Sequence, residues 1–139
     1  MILHDQCICV NFTSMTHLKC ISIDDDPLFI RKLEAFTDEL DWITIEEDYN
    51  NPVQGATAII ASKPDVVLMD IEMPYMDGEY LVDWLQPTLQ QMDNPPRIIV
   101  ISSLTDPPAE LLKNAAGFIN KSDVNSQESL EKRLKEILL

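Results

Sequence analysis

Val66-Val67-Leu68-Met69-Asp70-Ile71-Glu72-Met73-Pro74 is the stretch on which the reading of this chain turns. Four apolar residues end abruptly in a carboxylate. Pro64 and Pro74 bracket the run, so it reads as a buried central strand over about 65–70. An acid at the last position of such a strand sits at the carboxyl edge of the sheet, where ligands bind in open α/β folds. A second apolar run, Leu18 to Ile23, ends the same way, in Asp24-Asp25-Asp26. If the two strands are neighbours, several carboxylates converge on one spot. Such groups repel and raise one another's pKa, and a hard cation such as Mg2+ relieves the repulsion.

Outward from this stretch, the chain alternates strands and helices. Strand one is Leu18–Ile23. Asp26-Pro27 reads as cap and first position of a helix whose inner face is Phe29, Leu33, Phe36 and Leu40. Trp42–Ile45 is a short second strand, and the acidic run Glu46–Asn51 reads as a solvated turn. Pro52 opens a second helix with Val53, Ala56 and Ile60 inward, closed by Ser62-Lys63-Pro64. Glu72–Gly78 is a loop, followed by a third helix with Leu81, Trp84 and Leu85 inward. Pro87 is expected to end or kink it near Leu85. After the breaker Asn94-Pro95-Pro96, Arg97–Ile101 is a fourth strand ending in Ser102-Ser103. Pro107–Asn114 leaves room for a short helix only. Gly117–Asn120 is a fifth strand ending in Lys121, and Ser126 caps a last helix with Leu130, Leu134, Ile137 and Leu138 inward. Five βα units predict an α/β domain: a doubly wound parallel sheet with helices on both faces. Residues 1–16 show no period and read as an irregular extension, leaving 17–139 as one domain.

Composition narrows the function. The 139 residues suit a single core, and the formal net charge of −14 argues against binding nucleic acid or an anionic membrane. No apolar run is long enough to span a bilayer. The three cysteines, Cys7, Cys9 and Cys20, form no metal-ligand pattern and fit a reducing, cytoplasmic setting. Cys20 reads as core.

Four of the five expected strands end in chemistry: Asp24/Asp25, Asp70, Ser102 and Lys121. Mg2+ held by Asp25 and Asp70 would neutralise the acids, Lys121 adds a second positive charge, and Ser102 adds a donor. These are the parts that stabilise phosphoryl transfer, with Asp70 as the nucleophile. Asp26 reads as a helix cap and Asp77 as a loop acid. His4 and His17 lack the helical setting of a phosphotransfer histidine, and the methionines read as filler.

Together, Asp24-Asp25, Asp70-Ile71-Glu72-Met73-Pro74 with Asp77-Gly78, Ser102-Ser103 and Phe118-Ile119-Asn120-Lys121 resemble the receiver domain of two-component response regulators. The resemblance runs from about Lys19 to Leu139. It implies a flavodoxin-like sheet of order 2-1-3-4-5. It implies that Asp70 accepts phosphate from a histidine kinase or phosphotransfer protein. Asp25 would bind Mg2+ directly, Asp24 through water, and the backbone carbonyl of Glu72 would be a further ligand. Ser102 takes the switch position, Phe118 that of the switch aromatic, and Lys121 that of the phosphate-binding lysine. Output would pass to a downstream protein or a second copy through the fourth helix, fifth strand and fifth helix.

Three features depart from the pattern. Ser122 follows Lys121 where proline is usual, the segment from Ser102 to Lys121 is short, and no effector domain is expected after Leu139. The expectation is a signalling protein that catalyses only its own phosphorylation and dephosphorylation, not a metabolic enzyme. Rival readings are a Mg2+-dependent phosphatase with an aspartate nucleophile, a nucleotide-binding domain and a phosphate-independent interaction module. The phosphatase would carry Asp at 72, where this chain has Glu72, and the nucleotide binder would carry a glycine-rich loop after strand one.

Overall fold

The computed structural model describes residues 17–73, 85–107 and 109–139. Its elements are β1 (Leu18–Ile23), α1 (Pro27–Thr37), β2 (Ile43–Tyr49), α2 (Pro52–Ser62), β3 (Val66–Asp70) and a helical segment over 85–90, here α3. There follow β4 (Arg97–Ser102), α4 (Ala109–Lys113), β5 (Gly117–Asn120), a 3-10 turn (Lys121–Asp123) and α5 (Gln127–Leu138). The strands form one parallel sheet of order β2-β1-β3-β4-β5. That is the expected doubly wound order.

Side chains alternate along each inner strand, so one strand feeds two cores. Cys20, Val66, Leu68, Ile99 and Ile101 face Phe29 and Leu33 of α1 and Leu130 and Leu134 of α5. Ile21, Ile23, Val67, Met69, Ile98 and Val100 face Ala56 and Ile59 of α2 and Leu85 and Leu89 of α3. Burying each large side chain contributes roughly 1.5–3 kcal/mol, and the basic residues of the inner strands, Lys19 and Arg97, sit at their exposed amino ends. The helices start where polar side chains meet their free N–H groups. Asp26 accepts from Leu28 and Phe29, Asn51 from Val53 and Gln54, and Ser126 from Ser129. Lys63, at φ 50°, closes α2 in the left-handed region.

Two expectations fail, and a third is met by the described residues only in part. First, β2 continues to Tyr49, so Glu46–Asp48 is strand and not turn. A register shift between Cys20 and Ile21 absorbs one residue, pairing Cys20 with Ile45 but Ile21 with Glu47. An edge strand carries acids cheaply because part of it faces water. Second, Val53 and Ile60 point outward, 54% and 46% exposed, while Pro52, Gly55, Ala56 and Ile59 face the sheet. A Cβ on Gly55 would lie 2.5 Å from Ile23 Cδ1. The missing side chain lets α2 press on β1 and turns its larger residues away. In the third, Pro87 does not end α3, and the alternative of a kink near Leu85 turns on residues 81–84, which lie outside the described residues. The helix runs on to residue 90, and Leu85 and Leu89, one turn apart, are buried on either side of the proline. The extension 1–16 with Cys7, Cys9 and His4, the loop acid Asp77 and Gly78, and the inward Leu81 and Trp84 lie outside the described residues.

Candidate functional site

Two neighbouring strands deliver the acids. β1 pairs with β3 as far as Ile23 and Met69, so Asp24 and Asp70 emerge side by side at the carboxyl edge. Both are 2% exposed, whereas Asp25 is not buried. Each of the three offers a carboxylate oxygen, and these oxygens lie within 4.8 Å of one another. Asp24 Oδ1 accepts the Asp26 N–H at 2.9 Å, and Asp70 Oδ1 accepts the Glu72 N–H at 3.1 Å. These bonds orient the remaining oxygens of the buried pair toward the shared space.

Among the described residues, one cation faces the two buried acids. Lys121 Nζ lies 2.9 Å from Asp24 Oδ2 and 3.7 Å from Asp70 Oδ2. It also sits 4.7 Å from the centre of the Phe29 ring, a cation–π contact that supports the ammonium from below. Burial, and then the neighbouring charge of Asp24, push Asp70 up to about 6. Burial raises Asp24 as well, against the pull of its bonds to Asp26 and Lys121. Burial draws the Lys121 ammonium down, but the hydrogen bond and charge of Asp24 outweigh it, and the net shift is upward. The site therefore stores an excess of buried negative charge. A hard divalent ion with oxygen ligands fits this donor set, since it would relieve the repulsion directly.

The other expected residues gather at the same edge. Ser102, fully buried, ends β4 and accepts the Leu104 N–H on Oγ at 3.1 Å. Ser103 Oγ donates to Glu72 Oε2 at 2.8 Å, joining the loops after β3 and β4. Phe118 is half-buried against the α2–α3 core, and its carbonyl accepts from Arg133 Nη2 of α5 at 2.7 Å. A cleft of about 630 Å³ lies at the opposite, amino edge, lined by Lys63, Asp65, Gln91 and Asn94. It has no comparable convergence of charge, and an ion needs converging oxygens rather than depth.

Sequence reasoning missed three contributors. Phe29 reads as core but also carries Lys121. Arg133, which the sequence pattern did not single out, anchors β5 through the Phe118 carbonyl. Asn120 reads as the end of a strand but caps the turn that presents Lys121, its Oδ1 accepting the Ser122 N–H at 2.9 Å. The cap preference of asparagine was the available signal for the last.

Comparison with known proteins bears on the family and the fold. Residues 20–135 match the family model described as response regulator receiver domain. The protein-glutamate methylesterase/protein-glutamine glutaminase 1 of Hahella chejuensis is 28% identical over 125 residues, covering 86% of this chain and 33% of that protein. The transcriptional regulatory protein BtsR of Escherichia coli K12 is 36% identical over 70 residues, covering 50% of this chain and 29% of its own length. The chain thus spans about a third of the length of these relatives. Among solved structures, the receiver domain of the NarL regulator from Mycobacterium tuberculosis superposes with TM-score 0.72 at 25% identity, covering 86% of this chain and 94% of that one. The response regulator domain of Thermotoga maritima CheB gives TM-score 0.70 at 23% identity, covering 87% and 96%, a likeness of fold.

Proposed function

The chain belongs to the response regulator receiver domain family, and on that premise we propose that Asp70 is its phosphoryl acceptor, in a domain that extends from His17 to Leu139. Members of this family take phosphoryl groups from histidine kinases and act on downstream partners. One observation carries the assignment. Asp24, Asp25 and Asp70 converge at the carboxyl edge beside Lys121, and of the buried pair Asp70 is the one farther from it.

The step follows from the residues. With its carboxyl near 6, Asp70 is mostly ionised at neutral pH and acts as the nucleophile. An oxygen of Asp70 forms a bond to phosphorus as the bond to the donor histidine nitrogen breaks, and the electron pair leaves with that nitrogen. Lys121 offsets charge on the phosphoryl oxygens, and the Ser102 hydroxyl donates to one of them. Asp25 and Asp70 would hold Mg2+ directly, Asp24 through water, with the Glu72 carbonyl as a further ligand. When bound, the ion supplies positive charge against the phosphoryl oxygens.

Movement of Ser102 toward the phosphoryl group, with Phe118 following, would carry the signal to the face of α4, β5 and α5. There a downstream protein or a second copy would read it. The methylesterase and glutaminase activities belong to relatives about three times as long. For this chain we propose signalling without metabolic turnover.

Incubation with Mg2+ and acetyl phosphate, followed by intact mass, tests the reading. A gain of one phosphoryl group, absent in chelator, is expected. No gain, or sustained turnover of unrelated phosphate esters, contradicts it and favours a phosphatase.

A further inference from the structure

Ser102 and Asn120 face each other in register across β4 and β5, and each begins the loop that carries its half of the site. The Asn120 amide joins those loops. Its Oδ1 accepts both the N–H and the hydroxyl of Ser122, at 2.9 and 2.8 Å. Its Nδ2 donates to the Leu104 carbonyl at 3.0 Å, sixteen residues away in the chain. The Leu104 N–H in turn donates to Ser102 Oγ at 3.1 Å. That bond uses an acceptor site of the hydroxyl and leaves its proton free to be given away.

We propose that Asn120 is a positioning residue, which fixes the loop of Lys121 and the Ser102 hydroxyl in one hydrogen-bonded unit, so that both meet the phosphoryl group together. The idea rests on the receiver reading above and deepens it. Ser122 is part of the device. A proline there would offer neither the N–H nor the hydroxyl that holds Oδ1, so the residue that departs from the family pattern supplies what this chain uses instead. The amide chemistry is specific. Oδ1 meets two donors and Nδ2 meets a carbonyl, so an aspartate at 120 would set oxygen against oxygen at Leu104. Serine at 120 can still cap the turn but is too short to reach Leu104.

The test uses the full chain with Mg2+ and beryllofluoride, a phosphoryl mimic, and follows the backbone amides of Leu104 and Lys121–Asp123 by NMR. In the wild type, both groups of signals shift with one midpoint. In Asn120→Ser, unliganded spectra keep the fold, binding weakens about fivefold, as expected for one neutral hydrogen bond, and the Leu104 signal responds less than the Lys121 loop. In a Ser102→Ala background, Asn120→Ser has no further effect, because its route to the ligand is already cut. An unchanged midpoint in Asn120→Ser, or a fivefold loss that persists in the Ser102→Ala background, overturns the proposal alone. A wild type silent to beryllofluoride overturns the receiver reading and the proposal with it.

Discussion

Asp65 and Asp70 bracket the same strand and behave in opposite ways. Asp65, exposed at the amino edge, accepts the Lys19 N–H on Oδ2 at 2.8 Å, while its backbone bonds the Lys19 carbonyl and the Arg97 N–H. Its charge stays in water, and it stitches β1, β3 and β4 together. Asp70, buried at the carboxyl edge, shares one ammonium with Asp24 and is held well above its ordinary pKa. The residue type is the same. What distinguishes the site is burial together with an unbalanced charge, a combination that costs stability and that proteins retain where chemistry needs it.

The comparison can be broken most sharply by pH. Asp70 titrates at 3.8 when unfolded and at about 6 when folded. Below 3.8 both states hold the proton and the fold bears no penalty. As the pH rises toward 6 the unfolded chain releases the proton first, so the stability contributed by protonated Asp70 is lost over that window. In chelator, urea titrations should show the wild type losing ground to Asp70→Asn from pH 4 to 6.5, by an amount on the order of 3 kcal/mol. A flat difference means that Asp70 is not strained. Next in size is Lys121→Met, which removes the only cation facing the two acids among the described residues and should cost about 2 kcal/mol in chelator. Mg2+ should recover much of that loss, as melting curves with and without the ion will show. Third, Mg2+ at about ten times its dissociation constant should stabilise the wild type by about 1.4 kcal/mol. Asp25→Asn should abolish that gain, and Asp65→Asn should leave it intact. The smallest effect is Asp65→Ala, which gives up one hydrogen bond and about 1 kcal/mol, with the Mg2+ response in calorimetry unchanged.

Much of this was legible in the sequence because inner strands and their last residues carry strong, local signals. Val66–Met69 can only be buried, and the acid that follows can only emerge at the edge. The same logic placed Asp24, Ser102 and Lys121. What stayed hidden depends on contacts distant in the chain. The extent of β2 follows from pairing with β1 across a register shift, which the polar letters Glu46–Asp48 conceal. The outward turn of Val53 and Ile60 follows from Gly55 meeting Ile23, residues that no helical period connects. The closer approach of Lys121 to Asp24 than to Asp70, and the bridge from Asn120 to Leu104, need side-chain geometry that spacing does not contain.

The central claim is that the acyl phosphate forms on Asp70 and nowhere else. After acetyl phosphate and Mg2+, borohydride reduction converts an aspartyl phosphate to homoserine, which peptide mapping locates by mass. The account predicts homoserine at position 70 in the wild type and none anywhere in Asp70→Asn. Homoserine at Asp24, Asp25 or Asp65, or a phosphoryl gain in Asp70→Asn at the wild-type rate, would contradict it.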